Sequence, residues 1–145
     1  MEDEDWRPPV HYKPRKTANW LYDVLAAAPF SDGASDDDLD AAVNAMAPAR
    51  ASAGALLAAE GAAPSRFVVV ERGAWDASVG GRPAAPEGPS WFGAAALLED
   101  LPERATAAAA EDVKAWALDG DAFLRFFLPR ASREAQRVAS RAVAA

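Results

Sequence analysis

The chain has no cysteine and a single histidine, His11, among 145 residues. Without thiols it has neither disulfides nor thiolate metal sites, a usage that fits a reducing, cytoplasmic compartment. One histidine excludes a multi-histidine metal cluster. No apolar run approaches the roughly 20 residues that a membrane-spanning helix needs. The acidic start, Met1 to Trp6, is not a secretory signal. Positive charge is also short: 15 Lys and Arg against 22 Asp and Glu leave a formal net charge of −7. That is the wrong sign for a general nucleic-acid binder, which turns a basic face to phosphates. What is present is an alanine-rich apolar chain with five Trp and six Phe as bulky core material. Its length suits one domain with a real core.

Residues 1–16 are charged and broken by Pro8, Pro9 and Pro14, so they predict a disordered or extended acidic, Pro-rich tail with Lys13, Arg15 and Lys16 solvated. A helix is expected from a Thr17 cap to Ala28, with Trp20, Leu21, Val24, Leu25 and Ala28 on one face and Pro29 as the stop. Ser35 is a good N-cap for a second helix. Asp36, Asp37 and Asp38 fall in its first turn, where the helix dipole favours negative charge. Leu39, Ala42, Val43 and Met46 form its apolar stripe, and Pro48 is its expected end.

From 53 to 118 glycines punctuate short segments. Phe67–Val70 is a strand by composition, and Trp75, Ala77 and Val79 alternate with Asp76 and Ser78 as a half-buried strand does. Gly80-Gly81 is a hairpin turn. The alanines of 105–118 favour helix by propensity alone, whereas the turn spacing favours strands at Thr106–Ala110 and Val113–Leu118. After Asp119 helix returns, with Phe123, Phe126 and Phe127 on one face. A last segment, 130–143, carries Arg130, Arg133, Arg137 and Arg141 along one side.

The most specific stretch is 88–106. It reads Gly88-Pro89-Ser90-Trp91-Phe92-Gly93-Ala94-Ala95-Ala96-Leu97-Leu98-Glu99-Asp100-Leu101-Pro102-Glu103-Arg104-Ala105-Thr106. A tight turn leads into Phe-Gly, a short apolar helical turn follows, and Pro precedes an Arg-Ala-Thr strand start. Backbone N–H groups at a helix start and one arginine can converge there on a single phosphate. The segment resembles the phosphate-binding cassette of cyclic nucleotide-binding domains, roughly Phe-Gly-Glu-Leu-Ala-Leu, a spacer, then Pro-Arg-Ala-Ala-Thr. The likeness extends over about 17–143 and is greatest to a domain of the regulatory subunit of cyclic AMP-dependent protein kinase, with cyclic GMP-dependent kinases similar. Phe30-Ser31, Asn44 to Pro48, Glu60-Gly61, Phe67–Val70, Gly73, Trp75-Asp76 and Trp116 to Asp119 followed by Phe123 carry it.

That resemblance implies an α+β, mainly β, fold: an eight-stranded antiparallel jelly-roll barrel over 53–118, helices over 17–48 before it and over 119–143 after it. It agrees with the turn spacing on strands at Thr106–Ala110 and Val113–Leu118, which are therefore expected against the alanine propensity. It implies a non-enzymatic regulatory module that takes cyclic AMP or cyclic GMP, uses no other cofactor, and signals through its C-terminal helices to a kinase catalytic subunit or kinase domain. The ligand-binding residues it implies are Phe92, Gly93, Ala94, Ala95, Ala96, Arg104, Ala105 and Thr106. Ala105 after the arginine fits the cyclic AMP pattern.

Two departures stand out. The family's acid after Phe-Gly, which accepts a hydrogen bond from the ribose 2′-OH, is Ala94 here. Losing such a bond costs about 1.5–3 kcal/mol, roughly 10- to 150-fold in affinity. The family's arginine follows the proline directly; here Glu103 intervenes. Either the loop is shifted by one residue, or the arginine points elsewhere and Glu103 faces the phosphate and repels it. A domain that no longer binds nucleotide and serves as an interaction scaffold is therefore the alternative. A metalloenzyme on a β-barrel would need a His and carboxylate cluster, and the one histidine lies in the tail. At this length there is no room for a second nucleotide domain, a kinase domain or a helix-turn-helix, so a fragment, a stand-alone single-domain protein or a minimal relative is expected.

Overall fold

A computed structural model describes residues 6–128; the expected arginine-lined segment 130–143 lies outside the described residues. Eight strands form two four-stranded antiparallel sheets. They are β1 (Ala47–Ala51), β2 (Leu56–Ala58), β3 (Arg66–Arg72), β4 (Trp75–Val79), β5 (Arg82–Ala84), β6 (Trp91–Phe92), β7 (Thr106–Ala109) and β8 (Val113–Asp119). One sheet has the order β1-β8-β3-β6 and the other β2-β7-β4-β5. This is the expected eight-stranded jelly roll, as two facing sheets rather than a closed barrel. It begins at Ala47, not at residue 53. Pro48 does not end the preceding helix; it sits in β1, an edge strand, where its missing N–H is tolerated.

Four helices flank the sheets: α1 (Arg15–Ala27), α2 (Asp36–Ala45), α3 (Ala94–Glu99) and α4 over 120–128, with a short 3-10 turn at Pro29–Ser31. The cap of α2 is as the sequence predicts: Ser35 Oγ accepts from the Asp38 N–H at 3.0 Å, with Asp36–Asp38 in the first turn. The cap of α1 is not. The helix starts two residues before Thr17, behind Pro14, whose extended ψ of 149° supplies the entry without any side-chain cap.

The stretch before α1 also departs from a solvated tail. The His11 N–H donates to the Asn44 carbonyl at 2.7 Å. Lys13 is only 8 % exposed; its Nζ donates to the His11 carbonyl at 2.9 Å and lies 5.0 Å from the Trp116 ring centre. Burial lowers its pKa to about 8. Trp6 meets Phe126 edge-on at 6.0 Å and carries the Arg125 guanidinium over its face at 4.4 Å. The prolines forbid a helix, but they suit an extended strip whose side chains dock.

The sheet β1-β8-β3-β6 is covered on both faces, which explains the unbroken apolar run Phe67–Val70. Phe67, Val69, Trp91, Trp116 and Leu118 point to the helices. Val68, Val70, Phe92, Val113 and Ala115 point into the space between the sheets, with Leu57, Ala107 and Ala109 opposite. The alanines of β7 and β8 are strands for this reason: against Phe92 and the valines only small side chains fit. Val79, expected to alternate inward with Trp75, is 46 % exposed, because it stands next to the Gly80-Gly81 turn, where the hairpin leaves the core.

On the helix side, Phe30 in the 3-10 turn is packed edge-on against four rings. Phe67, Trp91, Phe123 and Phe127 lie with centroids 5.0–5.3 Å away. Phe67 stacks on Phe123 at 5.1 Å and is fully buried. Phe67→Ala should therefore cost about 3–5 kcal/mol and lower the melting temperature by roughly 10–15 °C. Thermal and urea unfolding measure this, and a loss below 1 kcal/mol would show that the aromatic cluster does not hold the layers together.

Candidate functional site

The segment 88–106 is built as a strand, a turn, one short helix and a pinned loop. Gly93 stands between β6 and α3 with φ of +101°, in the left-handed region, and a Cβ there would lie 2.5 Å from the Arg66 carbonyl oxygen. Only glycine fits so close to β3. Alternation in the two-residue strand sends Trp91 to the helix side and Phe92 inward, where its ring meets Trp75 at 5.1 Å.

A cavity of ≈ 210 Å³ opens between this segment and the second sheet. Ala58, Trp75, Ala77 and Ala107 form one wall, and Phe92, Ala95 and Ala96 the other. Of the residues expected at the site, Phe92, Ala95, Ala96, Arg104, Ala105 and Thr106 line it. Gly93 does not line it; its N–H donates to Glu87. Ala94, only 2 % exposed, packs instead into the core on the helix side. Thr106 Oγ1 accepts from the Glu60 N–H at 3.1 Å, which ties the cavity floor to the turn after β2.

The charged groups are arranged in a way the local sequence does not show. Glu87, in the loop before Gly88, takes two amides: its Oε1 accepts from the Gly93 N–H at 3.0 Å and its Oε2 from the Ala95 N–H at 2.8 Å. Nothing in the spacing singles Glu87 out; it acts on residues six and eight positions later only because the loop folds back.

The loop after α3 carries both Glu103 and Arg104. The Glu103 N–H donates to the Ala62 carbonyl and the Gly61 N–H to the Glu103 carbonyl, both at 2.9 Å. That two-way pairing pins the loop at Glu103 to the turn after β2. Glu103 is half-buried on the cavity, and its pKa is raised, first by burial and then by the Glu87 charge. The Arg104 guanidinium turns out to Glu99, at 2.5 Å, in an exposed pair. The arginine expected to anchor a phosphate lies on the rim, engaged by a carboxylate, while two carboxylates border the cavity.

Gly120, at the start of α4, is pressed against the cassette helix. A Cβ there would come within 2.9 Å of both Leu97 Cδ2 and the Ser65 carbonyl oxygen. Leu97 shares the helix-side core with Phe123, Phe126 and Phe127, so α3 and α4 are in continuous packing. Among the described residues no group of three or more His, Cys, Asp or Glu could hold a metal ion, and no helix is long and apolar enough to cross a membrane.

The sequence profile of the cyclic nucleotide-binding domain family matches residues 48–129. No curated protein matches the chain. Among solved structures, cyclic AMP-bound PfPKA-R superposes with a TM-score of 0.80 at 20 % identity, covering 89 % of this chain and 48 % of that one. The regulatory subunit of a cAMP-independent protein kinase A from Trypanosoma cruzi, bound to guanosine, gives 0.78 at 19 % identity, covering 90 % and 47 %. The regulatory domain of Toxoplasma gondii PKA with cyclic AMP gives 0.72 at 22 % identity, covering 84 % and 49 %. The chain spans about half the length of these structures, and at such identities they establish a shared fold.

Glu103 yields a pH prediction. Its folded pKa is raised, so its protonated form favours the folded state and its ionised form is penalised there. Stability from this group is full below its unfolded pKa and falls as pH rises through the folded one. Glu103→Gln should therefore be more stable than the wild type at pH 7, with the gap narrowing as pH falls through the raised folded value and closed below about 4.5, the ordinary glutamate value. Urea unfolding of both proteins across pH 4–8 checks the sign; a pH-independent gap would refute it.

Proposed function

The chain belongs to the cyclic nucleotide-binding domain family, and from that premise we propose that it is a ligand-sensing regulatory module of the protein kinase A regulatory-subunit type. The ligand is a cyclic nucleotide held in the cavity between the second sheet and 92–106. The observation that carries this is the cavity's position: one wall is the segment that matches the family's phosphate-binding cassette, and the other is formed by β4 and β7.

Trp75 and the small side chains Ala58, Ala77 and Ala107 offer apolar surface to a purine and ribose. Ala105 after Arg104 favours cyclic AMP over cyclic GMP. Arg104 supplies the phosphate's cation after leaving Glu99. That exchange is cheap, because an exposed ion pair contributes at most about 1 kcal/mol. Affinity is nonetheless lowered by Glu103 at the cavity and by the absence of an acid at Ala94. The output runs through the packing of Leu97 on Gly120 and of Phe123 and Phe127 on Phe30, so that a change in the cassette moves α4. A kinase catalytic subunit or kinase domain is the partner this implies, and the domain itself is non-catalytic and cytoplasmic.

The second reading is an interaction scaffold that no longer binds nucleotide. It is favoured by Arg104 being held on Glu99 while Glu87 and Glu103 border the cavity.

Calorimetric titration with cyclic AMP, cyclic GMP and guanosine separates the two. Arg104→Ala should weaken cyclic AMP at least roughly tenfold, a loss of 1.4 kcal/mol or more, whereas Glu99→Gln should tighten it by up to about fivefold. Cyclic AMP and its 2′-deoxy form should bind alike. Hydrogen exchange should change on binding both in 92–106 and in 120–128. No binding by the wild type or by Glu99→Gln, or a response confined to the cassette, would favour the scaffold.

A further inference from the structure

We propose that Glu87 is a built-in competitor for the ligand phosphate and the residue that sets how well this domain separates a cyclic nucleotide from an uncharged nucleoside. This rests on the reading that the cavity binds a cyclic nucleotide.

The geometry is specific. One carboxylate bridges two backbone donors, Gly93 N–H at 3.0 Å and Ala95 N–H at 2.8 Å, one oxygen to each. These amides lie in the segment that matches the family's phosphate cassette, and a singly charged oxyanion is the species such a pair of donors accepts. Glu87 reaches them from outside the cassette, from the loop between β5 and β6, so it can leave without unfolding a strand or helix. The side chain lines the same cavity as Glu103 and Arg104. Arg104 is the cation among the described residues lining the cavity, and its guanidinium is on Glu99.

Two consequences follow for any ligand carrying a phosphate. It must displace the carboxylate from both amides, and it must do so beside a second carboxylate, Glu103. An uncharged nucleoside has no phosphate to place on those amides and meets neither obstacle. Glu87 therefore lowers affinity for the cyclic nucleotide selectively and keeps the cassette amides satisfied until ligand concentration is high.

Wild type, Glu87→Gln and Glu87→Ala are compared by calorimetry with cyclic AMP and with adenosine. The amide resonances of Gly93 and Ala95 are followed by NMR without ligand. In both variants the two amides should shift upfield as the carboxylate is lost. Cyclic AMP should bind roughly tenfold or more tightly than to the wild type, a gain of about 1.4 kcal/mol. Adenosine should change by less than about threefold, a difference near 0.7 kcal/mol. Cyclic AMP binding that is unchanged or weaker in both variants overturns the proposal; weaker binding together with a wild-type preference for the 2′-OH would make Glu87 a ribose acceptor instead. Equal tightening of adenosine also overturns it, since the effect would then not be on the phosphate. If none of the three proteins binds either ligand, the ligand-binding reading itself falls and the proposal with it.

Discussion

Burial of one sheet on both faces is the constraint on which the rest of this structure depends. Because β3, β6 and β8 have the helices on one side and the second sheet on the other, each pair of neighbouring residues supplies two different cores. Phe67 and Val68 part in this way, and so do Trp91 and Phe92. The helix-side core is aromatic and centred on Phe30, whose four ring contacts join the 3-10 turn to β3, β6 and α4. The core between the sheets is lined largely by alanine and valine. The strand that enters the cassette is thus anchored from both directions, and Gly93 follows at the one point where the chain passes so close to β3 that no side chain fits.

That rigid entry places the site, but charge decides its character. The walls formed by Ala58, Trp75, Ala77 and Ala107 are apolar. The charged groups do not suit an anion in the conformation seen here: Glu87 holds the Gly93 and Ala95 amides, Glu103 is half-buried on the cavity, and Arg104 is turned out to Glu99. The energies differ in kind. The Arg104–Glu99 pair is exposed and weak, whereas the two hydrogen bonds that the Glu87 carboxylate accepts from backbone N–H groups are charge-assisted. Of the two contacts, the arginine's is therefore the easier to break.

The same packing joins the site to the rest of the domain. Ala94 and Leu97 face the helix-side core rather than the cavity, and Leu97 touches the start of α4. The cassette helix therefore has one surface on the cavity and one on the aromatic cluster. Leu97, Phe123 and Phe127 share that one cluster, packed at interior density.

Much of this was written in the residues themselves. The Ser35 cap, the Asp36–Asp38 first turn and the Gly80-Gly81 hairpin depend on neighbours within four positions. The apolar run of β3 and the order of elements around Phe92-Gly93 follow from pattern and resemblance. Those features are local, or repeat with a known period, and so can be read without knowing what lies across the molecule. Tertiary structure alone decided the others. Prolines broke the pattern before α1, but only Asn44 and Trp116 across the fold turned that stretch into a docked strip with a buried Lys13. Pro48 became a strand residue because β8 offered an edge. The loop at Glu103 is pinned by hydrogen bonds to Ala62 and Gly61, some forty positions away. Glu87 found its two amides because a loop closed on itself. In each case the partner is distant in sequence, and a hydrogen bond or contact with a distant partner leaves no periodic mark on the chain.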